Sequence, residues 1–372
     1  MSRTDLWLIP LFALAQIDSE SIARGRWILT SKGQPANYSC ENQTFGVQPS
    51  GLAWAGGRLW GVSDQSSSCP GCLFSLFPGA FEGDALLLEE DGLPLVRGGT
   101  VLAADAEGIA LLETKGDELA FVVVVEDRSD AIGMSFDDRT PGAALVIRPR
   151  WESKIALVSS IWEFKLSEEH AIRPYGGDTN RGFEGIAIDH HTNRGYLAYE
   201  QASDGKPRLF TFEIPETNGN GPERIPVVIE PVALAFDFTP AGKPETDLNF
   251  NGLALLRTEG ESAMLLILCR NRELLLVLTL TDPKTAVLHE QVGLDLLSPI
   301  GQSITWVSPE GIAIDEENHR LYVVSDPDPS CGGNWKASQG GELHEGRRAA
   351  EVNLFLQFVP LLFELDAAAV IR

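Results

Sequence analysis

Apolar residues fall in short runs along the chain, many of them closed by an acidic or polar residue. Leu59-Trp60-Gly61-Val62-Ser63-Asp64, Phe121-Val122-Val123-Val124-Val125-Glu126 and Leu321-Tyr322-Val323-Val324-Ser325-Asp326 show the form. Runs of this kind, rich in β-branched and aromatic residues and separated by turn-forming ones, predict strands. No long stretch carries apolar residues at helical spacing. The 36 glycines and 22 prolines suit many tight turns.

One short signature recurs five times: a polar residue, Gly, Ile or Leu, then Ala. The copies are Ser50-Gly51-Leu52-Ala53, Glu107-Gly108-Ile109-Ala110, Glu184-Gly185-Ile186-Ala187, Asn251-Gly252-Leu253-Ala254 and Glu310-Gly311-Ile312-Ala313. The glycines are 57, 77, 67 and 59 residues apart. Each copy opens one strand, and a turn then leads to a second. Two more strand-like runs usually follow, as at residues 144–148 and 154–159 or 208–213 and 225–229. Four strands per repeat make the blade of a β-propeller. A blade cannot bury both of its faces alone, so blades must stack in a ring. The expected fold is therefore all-β: a β-propeller of four-stranded blades, five or six in number, forming a single domain over residues 16–372. The last repeat lacks one strand. Gly25-Arg26-Trp27-Ile28-Leu29-Thr30 is placed to supply it, so that the two ends of the chain close the ring.

The first residues include a short apolar run ending in Ala13-Leu14-Ala15, which has the form of a signal peptide over residues 1–15 and points to a periplasmic or secreted protein. A first strand and a cytoplasmic protein is the alternative. No later run reaches the ~18 apolar residues of a membrane span. The net charge of −24 argues against nucleic acid as a partner, because phosphates would be repelled. A freely soluble monomer acting on a small anionic or ester substrate is expected. Of the five cysteines, Cys69 and Cys72 stand in a Cys-Pro-Gly-Cys pair with no second pair and no His at ligand spacing. A loop disulfide or unpaired thiols are expected there, and Cys269 reads as a buried strand residue.

In a propeller the first strand of each blade lines the central channel. The residue before each signature glycine should then face the axis, placing Ser50, Glu107, Glu184, Asn251 and Glu310 on one ring. Converging carboxylates repel unless they are protonated or share a cation. Oxygen donors without His favour Ca²⁺, with Mg²⁺ or Mn²⁺ behind it. Glu107, Glu184, Asn251 and Glu310 are the candidate metal ligands. The glycine itself should let the backbone crowd the axis. A second ring, farther out on the rim, is expected from the second-strand ends: Asp64, Glu126, Asp127, Glu200, Asn271 and Asp326. Arg128, Arg181, Arg270 and Arg272 stand near it, either in surface ion pairs or gripping an anion. His190 and His191 sit in a turn and should point outward.

The segments Asp105-Ala106-Glu107-Gly108-Ile109-Ala110 and Asn180-Arg181-Gly182-Phe183-Glu184-Gly185-Ile186-Ala187-Ile188, with Gly195-Tyr196-Leu197-Ala198-Tyr199-Glu200, resemble the bacterial phytase-like family. The resemblance implies esterase-like activity and frequent export. A looser likeness is to gluconolactonase and regucalcin propellers, which hold a divalent cation through inner-strand Glu-Gly, Asn-Gly and Asp-Gly. Glu107, Glu184, Asn251 and Glu310 stand in equivalent places, the last with Glu for Asp. The expected function is hydrolysis of a phosphoester or other ester at that cation. Glu126 or Glu200 would be general base, and Arg128 or Arg181 would orient the anion. The alternative is a non-catalytic propeller that binds a ligand or protein partner on its rim, with the glutamate ring structural or calcium-stabilising.

Overall fold

The structure, a computed structural model, describes residues 19–29, 48–63, 71–82, 85–88, 92–116, 118–126, 139–167, 172, 182–216, 223–236, 248–257, 262–270, 273–297, 309–325 and 360–371. These are nearly all strand, with one four-residue helix, Ala367–Val370. The expected signal peptide and the Cys69 thiol lie outside the described residues. No described helix is long and apolar enough to cross a membrane.

The chain is a β-propeller. Five strands, Pro49–Ala55, Ala106–Lys115, Phe183–Asp189, Leu253–Leu256 and Pro309–Asp315, carry or directly follow the five signatures. Each packs against the next, and the last packs against the first, so the cycle closes with five members. Each pairs antiparallel with the strand that follows: Arg58–Ser63, Glu118–Val125, Arg194–Tyr199, Met264–Cys269 and Arg320–Ser325. Third strands continue every sheet outward, and the last of them, Leu361–Asp366, pairs with the strand Ser19–Leu29. The partners are Gly25 with Phe363, Arg26 with Leu362 and Trp27 with Leu361. The two ends of the chain thus meet in one sheet, as the sequence predicts.

The signature glycines are explained by what lies beside them. A Cβ on Gly185 would stand 2.8 Å from the Asn251 carbonyl oxygen, and one on Gly252 would stand 2.5 Å from that of Glu310. The next inner strand passes where a side chain would have been. Hence glycine recurs in every copy.

The outer edges are joined as well. Ser19–Leu29 lies parallel to Thr285–Leu297 and to Ala85–Leu88, and Ile155–Leu166 lies parallel to Leu93–Arg97 and to Glu223–Pro231. Ala233–Leu234 completes the circuit against Thr285–Leu297. Every neighbouring pair of sheets is hydrogen-bonded at its rim, which leaves no long open edge between blades among the described residues.

The core is split into five apolar clusters, one between each sheet and the next. Alternate residues of one strand serve opposite neighbours: Ile186 and Ile188 enter the cluster with Phe164 and Phe212, while Ala187 enters the one with Phe250 and Leu265. Both faces of such a strand are buried, so its sequence shows no polar alternation. Phe183 packs edge-on to Phe164, Tyr199 and Phe210. Full burial of each such ring is worth ~1.5–3 kcal/mol. Cys269 is buried, as expected, and burial pushes its thiol up.

Candidate metal centre

The polar residue of the signature does not sit in regular pairing. The strand register slips between Pro49 and Gly51, between Ala106 and Ile109, between Phe183 and Gly185, and between Pro309 and Gly311. Ser50, Glu107, Glu184 and Glu310 are therefore bulge residues. In the remaining sheet Leu268 takes the Asn251 amide and donates to the Gly252 carbonyl, so two residues again oppose one. A bulge frees a residue from the ladder and re-aims its side chain. All five are buried.

Glu126 and Glu200 do not form a separate outer ring. Each follows the end of its second strand, and its amide donates to the inner strand beside it: Glu126 to Asp105, Glu200 to Gly182. That register brings them level with the bulges. Carboxylate oxygens of Glu126, Glu184 and Glu200 lie within 4.8 Å of one another, and so do those of Asp105, Glu107 and Glu126. The expected metal set is thus rearranged. Glu184 and Glu107 fall in different triads, and Glu310 and Asn251 are in neither.

Those last two residues are engaged by Arg270. Its guanidinium bonds Glu310 and, at 3.0 Å, Glu200, while its amide donates to Asn251 Oδ1 at 3.2 Å. Arg270 occupies the place in its sheet that Glu126 and Glu200 occupy in theirs, so one cation is inserted among acids. It neither forms a remote surface pair nor stands free to grip an anion alone. Asn249 adds a second bond to Glu200 Oε1 at 2.9 Å. Asp64, Asp127, Arg128, Arg181, Asn271, Arg272 and Asp326 lie outside the described residues.

The electrostatics follow from burial. Burial, reinforced by Glu200 and Asp105, holds the Glu126 carboxyl well above the usual range despite the Gly182 amide that donates to Oε1. Burial and then Glu126, Glu200 and Glu310 do the same to Glu184, with Arg270 opposing. Burial disfavours the charged Arg270, but Glu310, Glu200 and Glu184 overcome this and keep it protonated. Among the described residues Glu126 Oε2, Asp105 Oδ1 and Asn251 Nδ2 are buried without a partner. A buried acceptor left unmatched is costly. Oxygen-only donors with an orphaned carboxylate oxygen fit a hard cation such as Ca²⁺.

The sequence assigns no site role to Asp105 or Asn249, which lie two residues before the signature, where no repeat marks them. His190 is exposed in its turn, as expected, and it also lines an axial cavity of about 400 Å³ whose walls come from all five inner strands.

Residues 163–329 match the SdiA-regulated family. This β-propeller-type model covers under half of the chain and includes Glu184, Glu200, Asn251, Arg270 and Glu310. The matched family is not the phytase-like one. No curated protein matches the chain. Among solved structures, the catalytic domain of a GH62 α-L-arabinofuranosidase from Coprinopsis cinerea shares 12% identity at a TM-score of 0.45, over 92% of this chain and 97% of that one. A hypothetical selenium-binding protein from Sulfolobus tokodaii shares 12% at a TM-score of 0.32, over 74% of this chain and 56% of that one. The chain thus spans little more than half of the latter's length. At these scores neither likeness bears on substrate or mechanism.

Proposed function

We propose that this propeller is a divalent-cation-dependent hydrolase of a phosphoester or other ester, working at the polar end of its axis. One observation carries the proposal: three buried carboxylates, Glu126, Glu184 and Glu200, converge within 4.8 Å while Glu126 Oε2 lacks any donor among the described residues. Such a cluster is stable only with protons or a cation in it. Ca²⁺ suits the donor set best, with Mg²⁺ or Mn²⁺ as alternatives. The bound cation would polarise the scissile group and lower the pKa of a bound water.

The protein's own groups divide the remaining work. Glu126, Glu184 and Glu200 face the cation, so Glu126 and Glu200 act as holders rather than as general base. Gly182 fixes the Glu126 carboxylate through its amide, and Asn249 fixes that of Glu200. Glu310 and Asn251 position Arg270, whose side chain is 32% exposed and so can meet an anionic group at the mouth of the site. A phytase-like substrate preference is the finer form of this reading, supported by the resemblance of residues 180–188.

Full-length protein stripped with EDTA should take up CaCl₂ stoichiometrically and cleave p-nitrophenyl phosphate or p-nitrophenyl acetate only when reloaded. If neither ester is cleaved and no cation binds, the proposal fails. The Arg270 bridge between Glu200 and Glu310 favours a second reading, a non-catalytic propeller with a structural acid ring. Glu184→Gln separates the two: loss of cation and turnover in a folded protein supports the hydrolase, and loss of folding alone supports the scaffold.

A further inference from the structure

We infer that the axial cluster is built for two divalent cations, one in Asp105, Glu107 and Glu126 and the other in Glu126, Glu184 and Glu200, with Glu126 shared between them. The inference rests on the cation-dependent reading above and deepens it.

The geometry of the acids comes first. The five carboxylates do not form one cage. They fall into two triads, each with its oxygens within 4.8 Å, and Glu126 is the member common to both. A single ion at one triad leaves the other with its acids still facing one another.

Unmet bonding capacity is the second, independent observation. Glu126 is 3% exposed, its Oε1 takes the Gly182 amide, and its Oε2 has no partner among the described residues. In the triad on the other side, Asp105 Oδ1 is also buried and unpartnered. Orphaned oxygens therefore stand in both triads, which one cation at Glu184 and Glu200 would not satisfy. A paired centre also suits the proposed substrate class, since two cations flanking one phosphoryl or acyl oxygen share its developing charge.

Calorimetric titration of EDTA-stripped, full-length protein with CaCl₂ tests this, with elemental analysis of the dialysed product as a second measure. The wild type should bind two equivalents. Asp105→Asn should lose one and keep the other, and Glu184→Gln should do likewise. Glu126→Gln should weaken both. Circular dichroism melts report folding, and Glu107→Gln replaces Asp105→Asn if that variant fails to fold. One equivalent in the wild type, or two retained in the Asp105 and Glu107 variants, overturns the paired site and leaves the proposed function standing. No binding at all overturns both.

Discussion

Replacing Gly185 by Ala isolates the contact on which the ring depends. The new Cβ would lie 2.8 Å from the Asn251 oxygen, from Leu253 Cβ and from Leu253 N. Ordinary carbon contacts are ~3.5–4.0 Å, so the neighbouring inner strand must retreat by about 0.7–1.2 Å. None of these atoms is the far end of a flexible side chain, so no change of rotamer relieves the clash. Overpacking of this kind costs ~1–3 kcal/mol, and the lower entropy of the unfolded alanine chain returns ~0.4–1 kcal/mol. A net loss of about 1–2 kcal/mol is expected, a sizeable part of a typical total of ~5–15 kcal/mol. Urea denaturation followed by tryptophan fluorescence measures it, as a lower midpoint at unchanged slope. Because the displaced strand leads from Asn251, which holds the Arg270 amide, Ca²⁺ affinity should fall with stability. A variant within about 0.5 kcal/mol of wild type would falsify the idea that glycine is required by the approach of the next strand.

Two further outcomes concern the acids. Glu126 and Glu184 have folded pKa values held above the ordinary 4.5 by burial and by neighbouring carboxylates. The native state then binds more protons than the unfolded chain once the pH passes that value, so EDTA-treated protein should lose stability as pH rises from about 4.5 through the raised values. Saturating CaCl₂ should flatten the slope, and urea midpoints across that window with and without the ion would show it; a rising slope in EDTA contradicts the burial argument. Arg270→Gln leaves Glu200 and Glu310 facing each other without their cation. Stripped protein should lose ~2–4 kcal/mol, below the full cost of breaking a buried pair because the guanidinium is partly solvated, and CaCl₂ should restore part of the loss in the same urea assay.

The architecture was legible because its cause is local and repeated. Every inner strand must let its neighbour's backbone pass, so a glycine stands at each of Gly51, Gly108, Gly185, Gly252 and Gly311. The residue before it leaves the strand ladder for an equally local reason, the bulge, although the bulge itself leaves no mark beyond that glycine. What stayed hidden depends on register between strands. Glu126 and Glu200 read as rim residues because a sequence does not show how far the second strand runs beside the first. Arg270 read as a surface cation because only the assembled ring brings Glu310 from one neighbour and Glu200 from the other to its two sides. The pairing of Gly25–Trp27 with residues 361–363 was foreseeable from a missing strand, whereas the parallel seams around the rim were not. Strand residues carry the same alternation whether their edge is open or taken.

Those seams set a clock on how the chain is made. The strand Ser19–Leu29 emerges well before two of its partners, Thr285–Leu297 and Leu361–Asp366. About 330 residues separate its end from that last partner. At ~5–20 residues per second, translation keeps the first strand waiting on the order of twenty seconds to one minute. Through that interval the Gly25–Trp27 edge lacks its partner in the last sheet, although Ala85–Leu88 can already pair with Trp27–Leu29. Pairing of Ser19–Leu29 with Leu361–Asp366, which closes the last sheet, is therefore paced by synthesis of the segment that joins them.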